Sequence, residues 1–299
     1  AKTSTFFMGK AVLGFADLTT DCHGAMASWM QRPTKRKLGL APRDHLKTSV
    51  WTIADTIRCI CVDPNSRTLI INETASNAQN WLSRIEGVFE RNAVFRWLFP
   101  ELIPDFTKVR WTREAMEVPR TAEYPEATVE VFGVGGASTS RHYSRVREDD
   151  LVGREASQSP ALMQKAIDQH KLAESLLNDP HDTISTVGTR WAPYDLVKWM
   201  VAHEGDDLDY FTLEVFHPSG HRKEGQPIWP ARFSAEYLDG LRRKLGPGMF
   251  NLQYMNKALA EGVTDLDPNW LRRWNWTRVE VKKDGIWHEE EGILLERPQ

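Results

Sequence analysis

The stretch Leu40-Ala41-Pro42-Arg43-Asp44-His45-Leu46-Lys47-Thr48-Ser49 joins two segments of different periodicity. On its N-terminal side, Lys37-Leu38-Gly39-Leu40-Ala41 reads as a short strand. On its C-terminal side, Val50, Trp51, Ile53, Ala54, Ile57 and Ile60 recur at spacings of three and four, which predicts a helix over 48–61. A strand, a tight loop and a helix in that order aim free backbone N–H groups and the positive end of the helix dipole at the loop, an arrangement that suits an anion. In such a loop Lys47 reaches the β- and γ-phosphates of a nucleotide, and the Thr48 hydroxyl ligates Mg²⁺. Against the pattern GxxxxGK(S/T), Ala41 and Leu46 stand where glycines belong. A surface turn that happens to carry a lysine is the competing reading, and the strand–loop–helix context favours the phosphate loop.

Outward from the loop, strands and helices alternate. Residues 15–32 are expected to be helical, and Arg32 to Lys37 holds four positive charges. Thr68-Leu69-Ile70-Ile71-Asn72 is a strand buried on both faces. Ala78, Trp81, Leu82, Ile85, Val88 and Phe89 mark one face of a helix over 77–91. Residues 100–126 are Pro-rich and read as irregular; further strands are expected at 127–134, 142–152 and 183–188, with a helix at 160–177. This alternation predicts an α/β domain with a mainly parallel sheet flanked by helices. After residue 204 charged and Gly-rich stretches interrupt the pattern. Ser234 is placed to cap a helix ending near Leu245, stopped by Gly246-Pro247-Gly248. The tail reads as a hairpin, with strands either side of a turn at Lys283-Asp284-Gly285.

Composition narrows the class. The 299 residues carry 38 Lys+Arg against 41 Asp+Glu, a formal charge of −3, which excludes a tail-type basic binder but leaves room for a local basic stripe. The three cysteines, Cys22, Cys59 and Cys61, include no CxxC and fit a reducing compartment, with buried packing as their role. No apolar run approaches the roughly 18 residues of a membrane span, so no membrane partner is expected.

Two further constellations belong with the loop. Arg147-Glu148-Asp149-Asp150 closes a predicted strand with an acidic pair. Such a pair suits a Mg²⁺-holding carboxylate followed by one that orients the attacking water. The charged residues ahead of it leave the register open between Glu148/Asp149 and Asp149/Asp150. Thr189-Arg190, at the tip of the next strand, is placed to sense a γ-phosphate.

The ordered segments PRDHLKTS (42–49), LIINETASNAQ (69–79), RHYSRVREDDLV (141–152), VGTRWAPYDL (187–196) and IWPARFSAEYLDGLRRKLGPGMFNLQYMN (228–256) resemble the large terminase subunit of tailed bacteriophages over about residues 15–275. That resemblance implies an ASCE-type P-loop ATPase domain at 1–230, a linker or lid region at 231–265 and the start of an RNase H-like nuclease domain at 266–299. It implies a variant phosphate loop of the form Pro-Arg-x-x-x-Lys-(Ser/Thr), in which Arg43, Lys47 and Thr48 hold ATP and Mg²⁺. Asp149 matches the metal carboxylate, Asp150 the catalytic carboxylate, and Thr189 and Arg190 the motif coupling hydrolysis to movement. Arg141, with Arg145 second, is the candidate arginine acting on a neighbouring subunit of a ring. The implied partners are double-stranded DNA, copies of the chain itself in a ring on the procapsid, the portal protein and the small terminase subunit, in the host cell cytoplasm. The stretches 32–37 and 141–147 are candidate DNA contacts. Asp265, Asp267 and Asp284 fall in predicted turns, so the chain is expected to end before the nuclease site. A helicase or other translocase, and a nucleotide-binding fragment that is inactive without partners, are the alternative readings.

Overall fold

The computed structural model describes residues 1–136 and 140–258, together with the backbone of two strands near the C-terminus. In chain order, α1 (Ala25–Met30) follows a π-helical turn (Thr20–Gly24) and leads into β1 (Arg36–Leu40). After the loop, a π-helical stretch (Thr48–Ala54) continues as α2 (Asp55–Val62). Then come β2 (Thr68–Asn72), α3 (Ala75–Arg91), α4 (Ala93–Leu98), and the short strands β3 (Trp111–Thr112) and β4 (Ala115–Met116). Next are β5 (Val129–Gly133), β6 (Arg145–Asp149), α5 (Arg154–Ser157), α6 (Pro160–Ser175), β7 (Thr183–Gly188) and α7 (Leu196–Glu204). The series closes with β8 (Leu208–Thr212), α8 (Ala235–Tyr254) and an antiparallel pair, β9 (Val279–Lys283) and β10 (Ile286–Glu290).

One sheet runs β3-β4-β5-β2-β6-β7-β1-β8. The six strands from β5 to β8 are parallel, and β4 and β3 add antiparallel to the far edge. Parallel strands need covered faces, and helices supply them on both sides. One face packs Ile53, Ile57 and Ile60 with Leu82, Ile85 and Phe89. The other packs Leu38, Leu40, Leu69 and Ile71 with Ala166, Ala173, Leu196 and Met200. A third apolar cluster joins Trp29 and Trp51 to Trp229, Phe233, Leu238, Phe250 and Tyr254, so the 229–254 segment shares a core with the helices flanking the loop.

Several elements depart from the sequence expectation. Residues 15–19 are not helical; Gly14 breaks the chain at φ 76°, and the Thr19 N–H donates to Nδ1 of His23 to start the turn that follows. The strand expected at 142–152 stops at Asp149, because Asp150 turns to φ 52°. β8 occupies a stretch with no clear sequence pattern. Pairing of Leu208–Thr212 with β1 makes it an edge strand, which needs little apolar content. The helix at 235 breaks at Gly246 (φ 76°, ψ 158°) but resumes through Pro247 to Tyr254. Proline suits the first turn of a restarted helix, where its missing N–H has no partner to lose.

Two of the four cations at 32–37 have a carboxylate partner. Arg32 pairs with Asp209, Arg36 with Glu174, and Lys37 is buried with Nζ donating to the Thr34 carbonyl at 2.7 Å. Among the described residues no helix is long and apolar enough to cross a membrane.

Candidate functional site

In a parallel sheet the loops leaving the carboxyl ends of the strands meet at one edge, and ligands bind there. Leu40 pairs with Gly188 and Asp149 with Val187 in the strand register. That register draws the ends of β1, β7, β6 and β2 together. The Ala41 N–H donates to the Gly188 carbonyl at 3.3 Å, Asp150 N–H to Val187 at 2.9 Å, and Glu73 N–H to Asp150 at 3.1 Å.

The loop after β1 is tied down from behind. The Arg43 N–H donates to the Gln253 carbonyl of α8 at 2.9 Å. His45 is buried and stacks on Phe233, rings 4.5 Å apart and 9° from parallel, with Trp229 at its edge. Burial lowers His45 to about 4, so its ring is neutral near pH 7. Asp44 and Leu46 both adopt left-handed backbone, φ 62° and 55°. Leu46 therefore takes the conformation that glycine gives at that place in the GxxxxGK(S/T) pattern, and apolar packing of its side chain on the Trp229–Phe233 cluster holds it there.

The acidic pair faces this loop. The Thr48 hydroxyl donates to Asp149 Oδ1 at 3.2 Å, and Thr52 to Oδ2 at 2.6 Å. Lys47 Nζ lies 2.9 Å from Asp150 Oδ2. Burial first, then the Asp150 charge, push Asp149 up to about 6 despite Lys47 and the two hydroxyls. Burial disfavours the charge on Lys47, yet Asp150 and Asp149 outweigh it and raise its pKa. Strand alternation resolves the register. Glu148 points to the opposite face, where Thr186 donates to it at 2.5 Å and His170 Nδ1 lies 2.6 Å away. Glu148 thus has no access to the loop, and Asp149 and Asp150 are the pair that meets Lys47 and Thr48.

The polar character of β6 has a structural cause. Arg147, on the same face as Asp149, donates to the Trp51 carbonyl at 3.0 Å and to Asp55 at 2.6 Å. Burial opposes the Asp55 charge, but Arg147 and Arg58 lower its pKa to about 2.

The loop after β1 and Asp150 line a cavity of about 540 Å³. Of the residues expected from the sequence, Arg43, Asp44, Leu46, Lys47, Thr48, Ser49, Asp150 and Thr189 border it. Asp149 sits directly behind Thr48. Pro42 and His45 do not border it: Pro42 is buried and His45 is turned into the apolar cluster. Arg190 is also turned away, making a two-pronged pair with Asp195 at 3.0 and 3.2 Å and donating to the Pro193 carbonyl. Arg141 pairs with buried Glu130, to which Tyr143 also donates, and it precedes β6 at the edge opposite the loop. Arg145 opens β6 at that same far edge. Asp265, Asp267 and Asp284 lie outside the described residues.

Several further residues join the site beyond those expected from the sequence. Asn72, at the tip of β2, donates to the Asp149 carbonyl at 2.5 Å. Glu73, Asn77, Trp81, Trp191 and Arg232 also line the cavity. Arg43 lies over the Trp191 ring, 5.3 Å from its centroid. Arg84 donates to the Ser49 hydroxyl at 3.2 Å. The available signal was positional: Asn72-Glu73 is a polar pair at the end of a fully buried strand.

No family model and no curated protein matches the sequence. Several solved structures are similar, among them these two. The large terminase from a thermophilic bacteriophage, in complex with ADP, superposes with a TM-score of 0.48 at 8% identity, over 90% of this chain and 68% of that one. The S. cerevisiae protein dbp5, bound to nup159, gle1 and ADP, gives a TM-score of 0.43 at 13% identity, over 70% of this chain and 52% of that one. The chain's own architecture is an α/β fold with a mainly parallel sheet, in which β7 lies between β1, the strand that leads into the loop, and the acidic strand β6.

Proposed function

We propose that this chain binds Mg·ATP at the 43–48 loop and hydrolyses it, and that hydrolysis drives duplex DNA movement in the manner of a large terminase subunit. The observation that carries the first part is the meeting of Lys47 and Thr48 with Asp150 and Asp149 at the carboxyl edge of a parallel sheet. A phosphate entering the cavity competes with Asp150 for Lys47, which frees a carboxylate beside the reacting group.

The donor set fits magnesium. Thr48 and Asp149 offer hard oxygens, and Asp150 Oδ1 is buried without a hydrogen-bond partner. Among the described residues no cluster of three or more His, Cys, Asp or Glu side chains is arranged to hold a metal. That agrees with an ion that keeps several waters and takes one or two protein oxygens plus substrate phosphates. When bound, magnesium neutralises charge on the β/γ oxygens. Lys47 and the loop N–H groups orient the phosphates, Asp149 is held by its two hydroxyls, and Thr189, 3.5 Å from the Ala41 carbonyl, links the loop to the tip of β7.

The motor role rests on the ordered motifs quoted above. It entails a ring of copies in which a neighbour completes the site, DNA gripped through its phosphates without base reading, and docking to a portal protein and a small subunit. The test is Mg·ATP hydrolysis against protein concentration for wild type and Lys47→Ala, with and without duplex DNA. Turnover per subunit that climbs with concentration and is lost in Lys47→Ala supports the phosphate loop. Turnover that survives in Lys47→Ala sinks it. A rate indifferent to DNA, with no DNA retained by the protein, removes the motor role and leaves the ATPase.

A further inference from the structure

We infer that Glu73, not Asp150, is the carboxylate that orients and deprotonates the attacking water. This inference rests on the ATPase reading above. Glu73 and Lys47 border the same cavity from different strands, Glu73 following β2 and Lys47 following β1. The Glu73 backbone is pinned on both sides. Its N–H donates to the Asp150 carbonyl at 3.1 Å, and Asn72 Oδ1 accepts the Thr74 N–H at 3.1 Å in a tight turn. Its carboxylate lies against Gly153, where a Cβ would fall 2.0 Å from Glu73 Oε2. No ion pair engages it among the described residues, whereas Asp150 is paired with Lys47. Asp150 is also one methylene shorter than Glu73 and leaves its strand through a left-handed turn.

In the reaction, the water oxygen forms a bond to the γ-phosphorus as the bond from phosphorus to the β–γ bridging oxygen breaks. ADP leaves with that electron pair. The water proton passes to the Glu73 carboxylate and from there to solvent, giving ADP, phosphate and a proton.

Gly153 provides an independent handle. A Cβ added there runs into the Glu73 carboxylate, while the Gly153 backbone (φ −117°) is accessible to alanine. Gly153→Ala therefore displaces Glu73 without backbone strain.

The experiment is single-turnover hydrolysis with protein in excess over ATP, alongside equilibrium binding of ATP and ADP, for wild type, Glu73→Gln, Gly153→Ala, Asp150→Asn and Lys47→Ala. Glu73→Gln is expected to slow hydrolysis by about 10²–10⁴-fold, the usual contribution of a general base, while binding ATP at least as tightly as wild type. Gly153→Ala is expected to slow hydrolysis in the same direction, and Asp150→Asn to slow it less than Glu73→Gln. Wild-type rates in Glu73→Gln overturn the inference, as does loss of ATP binding in that variant, or a wild type that holds ATP without cleaving it. Binding unaffected by Lys47→Ala fails the phosphate-loop reading itself; binding lost there, with Glu73→Gln fully active, fails only this inference.

Discussion

The Thr48 hydroxyl donates to Asp149 Oδ1 at 3.2 Å, joining the first turn after the loop to a strand end 101 residues later. Thr52 takes the other oxygen at 2.6 Å. Two hydroxyls from one helical stretch thus fix the orientation of a carboxylate that burial would otherwise protonate. Thr52→Val removes the orienting contact while leaving the Thr48 oxygen in place. Outer-shell substitutions of this kind cost about 10–100-fold in metal affinity or activity. The Mg²⁺ concentration for half-maximal turnover is therefore expected to rise by that order, and an unchanged Mg²⁺ dependence would refute the role given to Thr52.

Leu46 holds a left-handed backbone at φ 55°, a conformation that costs a branched residue about 1–3 kcal/mol. Replacing it by isoleucine worsens the strain, because β-branched residues fit that region least. Glycine removes the strain and loses the packing. Thermal unfolding should therefore rank Leu46→Gly above Leu46→Ile in stability. Apolar burial alone predicts the reverse order.

Gly39 lies in β1 directly against the indole rings. A Cβ there would sit 2.6 Å from Trp29 and 3.2 Å from Trp51, both buried. The rings cannot give way without disturbing the cluster behind the loop. Gly39→Ala is expected to cost about 1–3 kcal/mol by overpacking, measured by urea unfolding. A neutral effect would mean that the Trp29 ring shifts freely.

His170 sits between Glu148 and Glu204, its nitrogens 2.6 and 2.5 Å from their oxygens. Burial opposes its charge, but the two carboxylates outweigh burial and lift it to about 10 from 6.5. The folded state thus binds an extra proton between those pH values. Stability from this group is complete below about 6.5 and is lost as pH rises through 10. His170→Ala should flatten that part of the urea-midpoint profile. At pH 7 it should also cost about 3–5 kcal/mol, because buried Glu148 loses its ion-pair partner. A parallel downward shift with unchanged slope would show that His170 acts by packing alone.

The sequence by itself determined the parallel α/β alternation and the place of the loop. Ile53, Ile57 and Ile60, the buried run Thr68–Asn72 and the helix through Leu82 and Phe89 follow local periodicity, which burial on one or both faces dictates. It also placed Lys47, Thr48, Asp149 and Asp150, since position relative to a strand end is a local property. Only the tertiary structure decided which side each charge faces. It sent Glu148 to His170 and Asp149 to Thr48, because successive strand residues point to opposite faces and one residue of register exchanges them. It turned His45, Arg190 and Arg141 into contacts with Phe233, Asp195 and Glu130, and it brought Glu73 to the cavity. Those outcomes depend on strand order and on side chains far apart in the chain, which hydrophobic periodicity does not encode.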